Sequence, residues 1–292
     1  MLGVIIALTA SLAWAGSSIF IKYLSTRMDS LSMNTMRLWV GAVALITIVF
    51  LTGRGTDILH TPVLSIFFVI LSGLLSNTAG DTIYIQSLRY LDVSVAYPIS
   101  QSAFPVFTLL TAIFFLSETF TWFNILGAVC VIAGILMIVR NNKTKVTKKT
   151  TTKGVVLSLV AAVLWTAGSV TLKIGLNHVD TILAAATRVT ASALVLTGVT
   201  LVSNTPNKFQ FKTYGTRNLL FVACAGILTY TIGALGYVTA IHLIGAGKTV
   251  LLSASAPVFV LPMSVFFLKE RLSPLALAGV FIAVAGICLV AL

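Results

Sequence analysis

Of 292 residues, 58% are hydrophobic and 9% charged, where a soluble domain carries about a quarter, and the mean hydropathy is +1.05. Lipid is therefore the solvent for most of the chain, which leaves helices or a closed barrel; apolar runs of about 20 residues without alternation are helices. The net charge of +12, from 19 basic and 7 acidic residues, falls between the apolar runs, where it sets orientation and meets anionic headgroups, so no nucleic-acid partner is expected.

In chain order the predicted spans are 3–22, 32–51, 62–88, 93–116 and 121–139. The third is long enough to tilt or break. Ala13-Trp14-Ala15 looks like a cleavage site, but no basic n-region precedes it, so a retained first helix is expected. Residues 140–153, RNNKTKVTKKTTTK, hold six basic residues and no acidic ones and read as a linker. The second set of spans is 154–173, 181–202, 218–244, 249–268 and 274–292, with a basic, aromatic loop at 208–217. Cys130, Cys224 and Cys288 are isolated in apolar segments without metal spacing, so neither disulfide nor metal is expected.

The two sets are copies of one design. Pro105-Val106-Phe107, Phe114-Phe115-Leu116, Glu118, Gly127 and Ala133-Gly134-Ile135 recur 152 residues later, from Pro257 through Glu270 and Gly279 to Ile287. At an offset of 151, Gly3, Trp14, Ser18, Lys22, Asp29 and Arg37 match Gly154, Trp165, Ser169, Lys173, Asp180 and Arg188; at 153, Tyr84 matches Tyr237. Such self-similarity marks a repeat. Five spans per copy is an odd number, so the second copy starts on the opposite face. The expected fold is an all-α integral membrane protein of ten transmembrane helices, arranged as two inverted five-helix repeats over 1–139 and 154–292. Inverted repeats with substrate near the midplane are the architecture of alternating-access carriers.

The paired PVF…FFLxE…G…AGI blocks, with W-x-x-x-S-x-x-x-K opening each half, resemble the EamA-like permeases of the drug/metabolite transporter superfamily. The resemblance covers nearly the whole chain. It implies the ten-helix inverted-repeat fold and a small-metabolite carrier, in many members an exporter of amino acids or related compounds. It fixes fold more than cargo. The superfamily's small multidrug members carry a Glu in the first helix, whereas this chain has Trp14 there and no acidic residue in span 1.

Asp81 is the one acidic residue well inside a predicted span, where a carboxylate costs at least about 2.5 kcal/mol on insertion scales. Asn77, Asp81 and Tyr84 share a helical face; their counterparts are Tyr230, Ala234 and Tyr237. The carboxylate stands on one side only, so fold symmetry did not require it. It is a candidate for contact with a substrate amine or for proton coupling; the structural alternative is a local pair with Arg or Lys. Trp14 and Trp165 sit mid-span at equivalent places and are candidate walls of a cavity, or packing residues. Tyr97 and Gln101 share a face beside Pro98, with Ser100, Ser102 and Pro105 nearby; Ser253 and Ser255 precede Pro257. Hydroxyls beside kinked helices suit a polar ligand, unless they only bond back to their own helix. Lys248 could meet a carboxylate or snorkel. Glu118 and Glu270, just before spans 5 and 10, read as structural helix caps. Arg37 and Arg188, near the starts of spans 2 and 7, are expected to pair locally or with lipid. Gly41, Gly73, Gly80, Gly134, Gly233, Gly236 and Gly286 read as close helix contacts.

With the N-terminus on one side, Arg54, Lys173, Arg188 and Lys248 share that side and the other 15 basic residues lie opposite. The positive-inside rule then puts the linker in the cytoplasm and both termini outside; the family resemblance implies termini inside. The leading reading is a plasma-membrane carrier of a small polar metabolite, an amino acid or related compound, monomeric by default and without cofactor. No GxxxxGK[ST] loop is present for direct use of ATP. A passive channel and a carrier of lipophilic drugs, sugars or nucleosides on the same fold are the alternatives. An enzyme is not expected, because His60, His178 and His242 are scattered and neither HExxH nor GxSxG occurs.

Overall fold

The computed structural model describes residues 1–24, 27–87, 90–91, 93–116, 118–140, 151–203, 211–254, 256, 258–259 and 274–291. The elements among the described residues are all helices, with no strand. The first half runs α1 (Leu2–Leu24), α2 (Ser30–Leu51), the short α3 (Asp57–His60), α4 (Val63–Gly73), a π-helix (Leu74–Gly80), α5 (Asp81–Ser87), α6 (Val93–Phe115) and α7 (Trp122–Arg140). The second runs α8 (Thr152–Gly175), α9 (Thr181–Val202), α10 (Phe211–Gly226), a π-helix (Ile227–Gly233), α11 (Ala234–Ile244), α12 (Ala246–Ser253) and α13 (Pro274–Ala291).

Six described segments are long and apolar enough to cross a membrane: Leu2–Ile21, Leu31–Leu51, Val63–Tyr84, Thr152–His178, Thr181–Val202 and Tyr214–Ile244. Three further apolar helices are shorter over their described residues: Ala103–Phe115, Trp122–Met137 and Leu277–Val290. Two boundaries differ from the sequence reading. The chain is already helical at Phe211, inside the expected 208–217 loop, and breaks at Gly215, whose φ of 72° suits a residue without a side chain. The ninth span starts three residues early, at Ala246, because a turn at Gly245 (φ 85°) ends α11 there; its part beyond 259 lies outside the described residues.

Helix starts are set by side chains that accept otherwise unpaired N–H groups. Asp29 accepts from the Ser32 N–H at 2.8 Å. Its counterpart Asp180 accepts from those of Ile182 and Leu183 at 2.9 and 3.3 Å and also pairs with Arg54. Glu118 caps a helix too, but not the one that follows it. Its carboxylate accepts the Ala246 and Gly247 N–H groups, at 2.7 and 3.1 Å, at the start of α12 in the other half. The turn before α7 is held instead by Thr121 and Asn124, which bond each other's backbone N–H. Glu270 lies outside the described residues.

Helices approach where side chains are small. A Cβ on Gly127 would stand 2.7 Å from the Gly286 carbonyl oxygen, and one on Gly134 2.5 Å from that of Gly279. These contacts run in opposite order along α7 and α13, so the two helices pack antiparallel. The same holds for α2 and α9, where Thr35 meets Thr200 at 2.8 Å and Trp39 donates to Thr197 at 2.9 Å. Crosswise packing completes the core: α1 lies on α11 and the second π-helix, and α8 on α4 and the first. The largest buried cluster includes Leu38, Leu45, Val69, Leu172, Val189, Leu196, Ile241 and Val250.

Candidate functional site

A cavity of about 350 Å³ opens where α1, α2, α8, α9 and the two π-helices converge. The π-helices shape it. Residues 73–80 read GLLSNTAG and 226–233 read GILTYTIG, the same pattern at an offset of 153. In each, glycines bracket a seven-residue π segment. The first glycine admits the backbone of a crossing helix: a Cβ on Gly73 would stand 2.5 Å from the Arg188 carbonyl oxygen, and one on Gly226 2.8 Å from that of Arg37. The last admits a ring: Trp165 packs against Gly80, and Trp14 against Gly233. Isolated π turns of this kind are frequent at functional sites.

Both tryptophans line the cavity, at equivalent positions in the two halves. The Trp165 indole donates to Asp81 Oδ1 at 2.9 Å. At the place of Asp81 the other half has Ala234, and the Trp14 indole donates to the Thr229 backbone carbonyl at 3.2 Å. Trp14 leans on Tyr237, with ring centroids 5.4 Å apart, and Trp165 on Tyr84 and Phe104, at 5.5 and 5.8 Å.

The arginines depart from the sequence reading. Arg37 and Arg188 do not sit at span ends against lipid; they line the cavity with 6% and 4% of their surface exposed. Each lies two turns inside its helix, since α2 starts at Ser30 and α9 at Thr181. Arg37 Nη2 donates to Thr229 Oγ1 at 2.8 Å and its Nη1 to Asn34 Oδ1 at 3.3 Å. Arg188 Nη2 donates to Ser76 Oγ at 2.8 Å. Ser76 and Thr229 are equivalent positions, so each arginine is held by a hydroxyl on the π-helix of the other half. Neither makes an ion pair with a described carboxylate, and the Nε–H of each is buried without a partner among the described residues.

Asn77, Asp81, Tyr230, Tyr237 and Ser253 also line the cavity. The Tyr230 hydroxyl donates to Asn34 at 2.8 Å, Tyr237 bonds Ser169 at 2.8 Å, and Asn77 reaches Ser192 at 3.4 Å. Ser253 Oγ is buried and has no partner among the described residues. Tyr84 is not among the lining residues; its ring packs against Trp165, with centroids 5.5 Å apart. Lys248 does not line the cavity either. The side chains of Tyr97, Gln101 and Ser102, and all of Ser255 and Pro257, lie outside the described residues. The signal for the two arginines was present in the sequence, as a cation inside an apolar run at the same place in both copies.

Described residues that form only helices, with six membrane-length apolar segments and a cavity holding three charged side chains, fit a multi-pass membrane protein of the transporter class. Residues 1–140 and 152–292 both match the EamA-like transporter family, and the chain belongs to that family. It is 26% identical over 293 residues to an Archaeoglobus fulgidus protein named as an uncharacterized transporter, across 100% of this chain and 99% of that one. It is 33% identical over 108 residues to a Rickettsia felis S-adenosylmethionine uptake transporter, which spans 37% of this chain and 35% of that protein. A solved crystal structure superposes with a TM-score of 0.82 at 18% identity, over 98% of this chain and 95% of the other. That likeness concerns fold alone. Family and relatives are those of a transporter rather than an enzyme.

Proposed function

We propose that this protein is a secondary carrier that moves a small polar metabolite, an amino acid or related compound, across the plasma membrane by alternating access between two inverted five-helix repeats. The observation that carries this reading is the cavity itself. Each half contributes one buried arginine and one tryptophan, and each arginine is held by the opposite half. A solute bound there touches both halves at once, so rocking one against the other changes which side reaches it. The antiparallel packing of α7 on α13 and of α2 on α9 supports inversion. Three charged side chains in a membrane interior belong to a solute path or to ion coupling. A guanidinium suits a carboxylate and Asp81 suits an ammonium. The name of the Rickettsia felis relative is in keeping, since S-adenosylmethionine is an amino-acid derivative. Asp81 is the coupling candidate.

The test is uptake of pooled labelled amino acids into proteoliposomes preloaded with unlabelled ones, with and without a pH gradient. A carrier gives saturable counterflow; a passive channel gives flux that does not saturate. Asp81→Asn loses gradient-driven accumulation by a larger factor than counterflow. A variant equal to wild type in both modes removes Asp81 from coupling.

A further inference from the structure

Charge fixes the cargo more closely, if the carrier reading holds. Among the described lining residues the charged ones are Arg37, Arg188 and Asp81. Two guanidiniums and one carboxylate leave one positive charge without a counter-charge. That charge is buried, in a place where the medium screens weakly and an unpaired ion is disfavoured. Lys173 donates from its Nζ to the Ile241 carbonyl at 3.3 Å, and its charge has the same sign.

Hydrogen-bond capacity points the same way. A guanidinium has five N–H donors and no acceptor. Among the described residues Arg188 uses Nη2 alone, and Arg37 uses Nη1 and Nη2. All three bonds go to neutral oxygens, which position the groups without neutralising them. Asp81 differs: one of its oxygens accepts the Trp165 indole, and an ionised carboxylate has further acceptor sites. The complement of this arrangement is a molecule with two acid groups and one amine.

We infer that the solute carried in this cavity is an amino acid with a second acid group, or a compound of like charge pattern, bearing one net negative charge. Its acid groups meet Arg37 and Arg188, one from each half, and its amine meets Asp81. The solute then joins the two halves through ionic contacts, and the occupied cavity is neutral. An amino acid without a second acid group leaves the cavity with one positive charge, and a cationic solute raises that to two.

Probes of graded charge test this on purified full-length protein in detergent: L-glutamate, its net-neutral near-isostere L-glutamine, L-lysine and S-adenosylmethionine, with 2-oxoglutarate added for one variant. Binding is read by calorimetry and by the ligand-induced rise in melting temperature, and counterflow is measured in parallel. The expected result is L-glutamate binding at least about 10-fold more tightly than L-glutamine, with L-lysine and S-adenosylmethionine weaker still. Arg37→Gln and Arg188→Gln each weaken L-glutamate binding by about 10- to 100-fold, the loss of a charge-assisted hydrogen bond, and abolish the preference over L-glutamine. Arg37→Lys and Arg188→Lys keep the charge and so keep the order of the probes, which covers a Gln variant that does not fold. In Asp81→Asn the dianion 2-oxoglutarate overtakes L-glutamate. Equal binding of L-glutamate and L-glutamine, tightest binding by a cationic probe, or no L-glutamate binding to folded protein overturns the inference. The readouts separate the two claims. L-glutamate preference in binding without counterflow of any probe sinks the carrier reading alone; saturable counterflow without anion preference sinks the charge inference alone.

Discussion

Ser76→Ala tests whether the crosswise hydroxyl positions a buried arginine. Ser76 Oγ accepts from Arg188 Nη2 at 2.8 Å and donates to the Ser72 carbonyl at 2.6 Å. Alanine removes the acceptor and leaves a second donor of Arg188 unpaired beside its Nε–H. An unsatisfied buried donor costs about 1–3 kcal/mol. The better helix propensity of alanine returns a few tenths, so the net loss is about 1–2.5 kcal/mol. For a protein of this length that lowers the melting temperature by roughly 2–8 °C. The assay is thermal unfolding of detergent-purified protein followed by tryptophan fluorescence, in a double-mutant cycle with Arg188→Gln. Once the guanidinium is gone the hydroxyl has no partner to lose, so the two effects fall short of additivity by more than the roughly 0.5 kcal/mol typical of independent sites. A Ser76→Ala protein that melts with wild type, together with strict additivity in the cycle, refutes the contact. Thr229→Val repeats the test on Arg37 in the other half.

Two further outcomes are expected. Glu118→Ala, which strips the cap from α12, lowers stability by about 0.5–2 kcal/mol, and a melting temperature unchanged from wild type removes the clasp between the halves. The orientation implied by charge survives the relocation of Arg37 and Arg188 into the cavity, since 14 basic residues still face three. In a cysteine-free background Thr147→Cys is then shielded from an impermeant maleimide in intact cells and labelled after permeabilisation; labelling in intact cells reverses the orientation.

What could be read from the sequence depended on how local the signal was. The repeat was legible because Gly127, Gly134, Gly279 and Gly286 keep fixed spacing inside long apolar helices, and the structure uses them as contacts between α7 and α13. Asp81 stood out because a carboxylate in an apolar run is conspicuous. Arg37 and Arg188 did not, because a cation seven residues into a span blurs into its end when hydropathy is averaged. Helical winding leaves no mark on hydropathy, so the π-helices went unread although G-x-L-[ST]-x-T-x-G occurs at both places. The partner of Glu118 was out of reach for a different reason: the contact spans 128 residues, and nothing near Glu118 encodes it.

The asymmetry at Asp81 allows a final test, because the protein carries its own control. Trp14 and Trp165 are equivalent, their helices cross equivalent π segments, and each ring packs on the last glycine of its segment. One indole bonds a carboxylate and the other, facing Ala234, bonds the backbone carbonyl of Thr229. The residue equivalent to Thr229 is Ser76, whose carbonyl oxygen accepts the Asp81 N–H across the π turn as that of Thr229 accepts the Ala234 N–H. The scaffold therefore seats a tryptophan without a carboxylate. In Asp81→Ala the Trp165 indole turns to the Ser76 carbonyl; the charge-assisted bond lost, about 1.5–3 kcal/mol, is offset by the neutral bond gained, about 1 kcal/mol, and by no longer burying a carboxylate, so fold stability changes by less than about 2 kcal/mol while transport falls. A structure of the variant shows the new bond directly. A large loss of stability, with Trp165 displaced from Gly80, makes Asp81 a structural anchor and takes away the reason to assign it to the solute.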